Sequence, residues 1–157
     1  MPGRHAPILP PKPAPPPLLV AQKMEAVITY GYTALKDFPR AERHVLSQEI
    51  RIAMWAILRG LIQASKVSHP AVARHTPDPA LGNLLRRLDG DIELLRRQLR
   101  LAMNLTFLPF NRYEVWLRQL NEVGAIVGSW RLKVPAAPAP PAPGVPPRPL
   151  GPPALPA

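Results

Sequence analysis

Nineteen of this chain's 24 prolines lie at its two ends, eight in residues 1–17 and eleven in residues 135–157, which leaves five in between. Proline has a fixed φ and no backbone N–H, so neither end can supply a central strand or a helix interior. Both ends are expected to be solvated, disordered Pro-rich tails of polyproline-II character. The foldable part is therefore residues 18–134, enough for one modest core.

Within residues 18–134 apolar side chains recur at helical spacing, and strand-like alternation is absent. A first helix is predicted from about Leu18 to Asp37, ending at Phe38-Pro39 because the residue before a proline avoids the α region. A second is predicted from about Arg40 to Ser68, with Leu46, Ile50, Ala53, Ile57, Leu61 and Ala64 on one face and His69-Pro70 as its stop. A loop of about residues 69–77 follows. Asp78-Pro79 reads as an N-cap and first-turn proline for a third helix that ends before Pro109. Its core stripe is Leu81, Leu84, Leu85, Leu88, Ile92, Leu95, Leu99 and Met103. A fourth is predicted from Asn111, capped in a box with Glu114 and stapled by Phe110 and Val115. Tyr113, Trp116, Leu117, Leu120, Val123, Val127 and Trp130 form its stripe, and it fades at Lys133-Val134. The fold class is all-α, an antiparallel up-down-up-down four-helix bundle flanked by the two tails.

Residues 18–134 carry 17 Lys+Arg against 10 Asp+Glu, a net charge of +7, and the whole chain has a pI near 11.1. Such a balance points to a polyanionic partner, nucleic acid before an acidic membrane surface. The chain has no cysteine, which removes disulfides and thiolate metal sites and fits a cytoplasmic setting. The opening MPGRHAPILPPKP does not read as a signal peptide, and no apolar stretch approaches the length of a transmembrane helix. No membrane partner is expected.

Catalytic and cofactor signatures are missing. There is no phosphate-binding glycine loop, no dinucleotide fingerprint and no paired-histidine zinc motif. His5, His44, His69 and His75 lack ligand spacing, and Ser47 and Ser65 lack a visible base. Glu93 with Arg97 and Glu114 with Arg118 read as surface ion pairs at helical i,i+4 spacing. The expectation is a non-enzyme with no cofactor and no metal.

The helix faces hold the candidate binding residues. On the third helix Leu94, Leu101 and Leu105 fall well away from the core stripe; a second apolar stripe on a small bundle means either that the helix is central or that the protein self-associates, and self-association is the favoured expectation. Arg86, Arg97 and Arg100 share a flank of that helix, with Arg96 nearer the core edge. On the second helix Arg51, Trp55 and Arg59 are spaced by four, with Ile62 and Lys66 beyond. A tryptophan between arginines can stack on a base, anchor a protein partner, or lie under arginine stems. Trp55 and Ile62 are assigned to a partner or subunit contact, and Arg51, Arg59, Arg86, Arg97 and Arg100 to nucleic acid. Gly124 and Gly128 cost a helix about 1 kcal/mol each relative to alanine. They are expected to mark the close passage of another backbone, with Gly60 as a counterpart and Trp130 packing alongside.

The run Asn121-Glu122-Val123-Gly124 followed by Val127-Gly128-Ser129-Trp130 resembles the last helix of the accessory variability determinant (Avd) proteins of diversity-generating retroelements. That family commonly closes in Gly-Gly-Trp. Phe38-Pro39-Arg40 before a long helix, and the Arg- and Leu-rich third helix from Leu84-Leu85-Arg86-Arg87-Leu88 through Arg97-Gln98-Leu99-Arg100-Leu101-Ala102, are similar as well. The resemblance spans roughly residues 20–133. Ala125 stands where the family often has a basic residue, so no nucleic-acid contact carries over to that turn, and Ser129 replaces the second glycine. The resemblance implies a pentameric, positively charged barrel of four-helix protomers. It further implies binding to the element's reverse transcriptase, template RNA and cDNA for mutagenic synthesis, without catalysis by the bundle itself. Ribosomal intervening-sequence proteins share the architecture, so a structural bundle with no polymerase partner is the alternative expectation.

Overall fold

The computed structural model describes the backbone of residues 16–74 and 78–134, and the side chains of residues 19–67 and 78–134. The expected tails, with His5 and the first fifteen residues, lie outside these, as do His75 and residues 135–157. Among the described residues there are four α-helices and no strand: α1 Pro16–Ala34, α2 Leu46–Arg74, α3 Pro79–Asn104 and α4 Phe110–Lys133. Neighbours in sequence pack side by side, and α1 closes the ring against α4.

Helix α1 begins at Pro16, two residues before the expected Leu18. A proline loses nothing in the first turn, where backbone N–H groups have no intrahelical acceptor. The α-helix stops at Ala34 and tightens into a 3-10 turn, Leu35–Asp37. Phe38 is held extended before Pro39, as its position requires, and is buried against Phe107 with ring centroids 6.0 Å apart. The second predicted helix is in fact two pieces. Arg40–His44 form a 3-10 turn, Val45 breaks it at φ −114°, ψ −97°, and α2 proper starts at Leu46. At the far end Pro70 does not stop α2, which runs on to Arg74 and removes most of the expected loop. The missing N–H orphans one carbonyl, on Lys66, and this residue is exposed, so water can satisfy it.

Asp78 caps α3 as expected, its Oδ1 accepting from the Leu81 N–H at 3.0 Å, with Pro79 in the first turn. The end of α3 is a Schellman motif. Phe107 N–H donates to Ala102 O at 2.9 Å and Thr106 N–H to Met103 O at 3.0 Å, while Thr106 sits at φ +62°. Helix α4 departs from its predicted cap. It starts at Phe110 behind Pro109, with no side-chain cap. Asn111 is thereby inside the first turn, where its Oδ1 accepts only from the Arg112 N–H, and the box with Glu114 does not form. Phe110 is exposed and meets Tyr113 rather than a staple partner.

The core follows the predicted stripes closely. All six residues named for α2 are buried, together with Met54 and Leu58. On α3 Ala102 is buried in the place expected for Met103, and Leu84 is only partly covered. Trp116 is fully buried at the centre of α4, edge-on to Tyr30 at 6.2 Å between centroids, and its Nε1 has no partner. Side-chain bridges tie α4 to its neighbours: Lys23 to Glu122 at 2.5 Å, Asp37 to Arg112, and Asp89 to Arg131 at 2.5 Å. All are partly solvent-exposed, so each adds little stability beyond the apolar core.

Candidate nucleic-acid and partner interface

The residues assigned to binding fall on two separate flanks. The first lies where α2 meets α1. Trp55 is 47% exposed and Tyr32 of α1 is 42% exposed. The indole Nε1 of Trp55 donates to the Tyr32 hydroxyl at 3.1 Å. The Arg51 guanidinium lies over the Tyr32 ring, 5.6 Å from its centroid, a cation–π distance. Arg51 thus covers the tyrosine rather than the tryptophan. Its Nε has no hydrogen-bond partner. Arg59, one turn beyond Trp55, is exposed, as is Ile62.

The second flank is on α3. Arg86 donates to Asn83, and Arg97 pairs with Glu93 at 2.8 Å. Arg96 turns toward α4, where its Nε donates to Asn121 Oδ1 at 2.9 Å, and it also reaches Glu93 at 3.3 Å. The Glu93 carboxyl is held below the usual glutamate range, chiefly by the Arg97 hydrogen bond and then by that of Arg96. Arg100 is exposed, with no ion pair among the described residues. The five arginines therefore do not converge on one patch. No ion pair joins Glu114 and Arg118 among the described residues, although their spacing predicts one.

Leu94 and Leu101 of α3, and Leu105 just past its end, are 53%, 48% and 45% exposed, turned away from the buried leucines of the helix. Among the described residues of a single copy, nothing covers them further.

The glycine expectation needs correction. Among the described residues, what a Cβ on Gly124 would meet first is not backbone but the Arg96 guanidinium and the Ile92 side chain. Around Gly128 there is nothing within 4 Å of such a Cβ among the described residues. A Cβ on Gly60 would stand 2.6 Å from Leu88 Cδ2, and Gly31, which the spacing did not single out, lies against the Trp116 ring and Met54 Sδ. Close approach in this bundle is of side chain to backbone. Trp130 is partly buried and packs against the core.

Sequence reasoning missed Tyr32 and Asn121. Tyr32 carried a signal, since it lies off the Val20-Met24-Val27-Leu35 core stripe of α1. Nothing in the sequence marked Asn121 as the Arg96 partner. Among the described residues no group of three His, Asp or Glu side chains could hold a metal ion, and no helix is long and apolar enough to cross a membrane.

The match that decides the family takes in all but the first two residues of the bundle: the family model described as bAvd-like aligns with residues 18–134. The chain belongs to the bAvd-like family. This is an Avd-type family of accessory, non-catalytic proteins of diversity-generating retroelements. No curated protein matches the bAvd-like chain. The matched segment begins inside α1 and ends one residue beyond α4, so both flanks described above belong to it.

Proposed function

We propose that this bAvd-like protein is a non-catalytic accessory subunit of a retroelement reverse transcriptase. It acts as a basic, cytoplasmic homo-oligomer, a pentamer, that holds the polymerase and its template RNA or cDNA together during mutagenic synthesis. The observation that carries this reading is the family match over residues 18–134. An antiparallel up-down-up-down arrangement of the protomer is supported by its cross-helix pairs, since Lys23 meets Glu122 while Asp37 meets Arg112.

The net charge of +7 over the bundle supports contact with phosphates by Arg51, Arg59, Arg86, Arg97 and Arg100. Such contacts position a nucleic acid without reading its sequence. Leu94, Leu101 and Leu105 supply the apolar face for self-association, while Trp55 and Ile62 lie on a separate exposed face that contacts a partner of the protomer. The test is cDNA synthesis by the neighbouring reverse transcriptase on its own template RNA, with and without this protein, alongside co-purification. Synthesis that requires the protein, and a complex that survives purification, supports the reading. Unchanged synthesis with no complex leaves a bundle whose role is structural.

A further inference from the structure

We propose that Tyr32 and Trp55 form a stacking platform for unpaired bases of single-stranded RNA, with Arg51 and Arg59 beside it for the adjoining phosphates. The inference rests on the nucleic-acid reading above and gives it a specific site.

Both rings are exposed, yet neither is free to wander, because the Trp55 Nε1–H is spent on the Tyr32 hydroxyl at 3.1 Å. With its one donor satisfied inside the protein, the indole offers its surroundings mainly a π face. Every base has a π face, so such a surface binds single strands with little regard to sequence. The Arg51 guanidinium over the Tyr32 ring fixes that ring and adds positive charge on the face it covers.

Uncompensated charge beside exposed rings marks this face; Arg100 on α3 is also uncompensated, but the cation–ring contact among the described residues is that of Arg51 with Tyr32. Arg86, Arg96, Arg97, Arg112 and Arg131 are each tied to an Asn, Asp or Glu side chain. Arg51 and Arg59 pair with no carboxylate among the described residues, and the Arg51 Nε lacks any acceptor. A second protein surface seated here would desolvate uncompensated cations, which is costly unless it brings acids of its own. A polyanion brings the countercharge with it. By contrast, Leu94, Leu101 and Leu105 present an apolar stripe suited to a second copy of the chain. Single-stranded RNA is favoured over duplex because paired bases are already stacked, and the deep, narrow major groove of A-form RNA keeps side chains from them.

The experiment measures fluorescence anisotropy of a labelled 12-nucleotide oligouridylate and of a blunt RNA duplex of equal length, titrated with the full-length protein. Trp55→Leu, Tyr32→Leu and Trp55→Phe are compared, with circular dichroism and light scattering to check fold and assembly. Loss of one stacked base is expected to weaken single-strand binding about tenfold in Trp55→Leu. Trp55→Phe, which keeps a ring, should recover most of it, and duplex binding should stay unchanged in all three. If wild-type protein binds the single strand and both leucine variants bind it equally well, the platform is wrong while the RNA reading stands. If wild-type protein binds neither RNA, both fail together. If Trp55→Leu keeps RNA affinity but loses self-association or the polymerase, the face is a protein interface and the proposal is overturned.

Discussion

The guanidinium of Arg96 occupies the place of the side chain that Gly124 lacks, its Nη2 standing 2.5 Å from where a Cβ would be. The same arginine donates to Asn121, so the glycine makes room for a polar link between α3 and α4. Gly124→Ala should displace a flexible arginine tip and weaken that bond. Alanine's higher helix propensity offsets this by about 1 kcal/mol. The expected result in chemical denaturation is a change within about 1 kcal/mol of zero. Gly128→Ala meets open space and should stabilise by about 1 kcal/mol. A destabilised Gly128→Ala protein would mean that another molecule packs on that turn.

Gly31 offers no such compromise. A Cβ there would strike the ring of the fully buried Trp116 and approach Met54 Sδ at 2.7 Å. Overpacking of this kind costs about 1–3 kcal/mol. Gly31→Ala should therefore lower the urea midpoint with the m-value unchanged.

Thr106 holds the left-handed position at the end of α3, at φ +62°, where a β-branched residue is disfavoured. Thr106→Gly should relieve about 1 kcal/mol of that cost while leaving the Schellman hydrogen bonds in place. A lower melting temperature in the variant would show that the threonine side chain contributes more than its backbone loses.

The exposed stripe of α3 can be separated from its core. Leu94→Glu with Leu101→Glu should convert the assembled protein to monomers in light scattering while helical circular dichroism is retained, since both side chains are about half exposed. Cooperative unfolding of the double variant would instead place these leucines in the protomer's own core.

Glu93 gives a pH signature with a definite sign. Its carboxyl titrates below the ordinary value of 4.5, so the folded state favours the ionised form. Its contribution is fully present above that ordinary value and is lost as pH falls through the lower folded value. The stability difference between wild type and Glu93→Gln should shrink over that acid window and stay constant from there to neutrality. Lying on the surface within reach of solvent and salt, the pair should give a small difference, and one that high ionic strength removes.

The sequence by itself determined which residues fold as a bundle and which faces they bury. The leucine and isoleucine stripes of α2 and α3 are legible because a helix repeats every 3.6 residues whatever it packs against. The Asp78 cap is legible for a similar reason, being a contact between residues three apart. Where local rules failed, two allowed local solutions competed. Pro70 could stop α2 or cost it one bond, and Asn111 could cap α4 or sit within its first turn.

Only the tertiary structure decided what meets across helices. Spacing shows that Trp55 lies between arginines but not that Tyr32, on another helix, takes its indole N–H. It shows two glycines in α4 but not that one faces a guanidinium and the other nothing. The arginines chosen for nucleic acid could be assigned to faces, yet their division into Arg51 and Arg59 beside α1 and the rest on α3 depends on how the helices are arranged about the core. Helix periodicity fixes the direction of a side chain relative to its own axis. Its partner is set by the rotation and offset of the neighbouring helix, which the packing of the whole core selects.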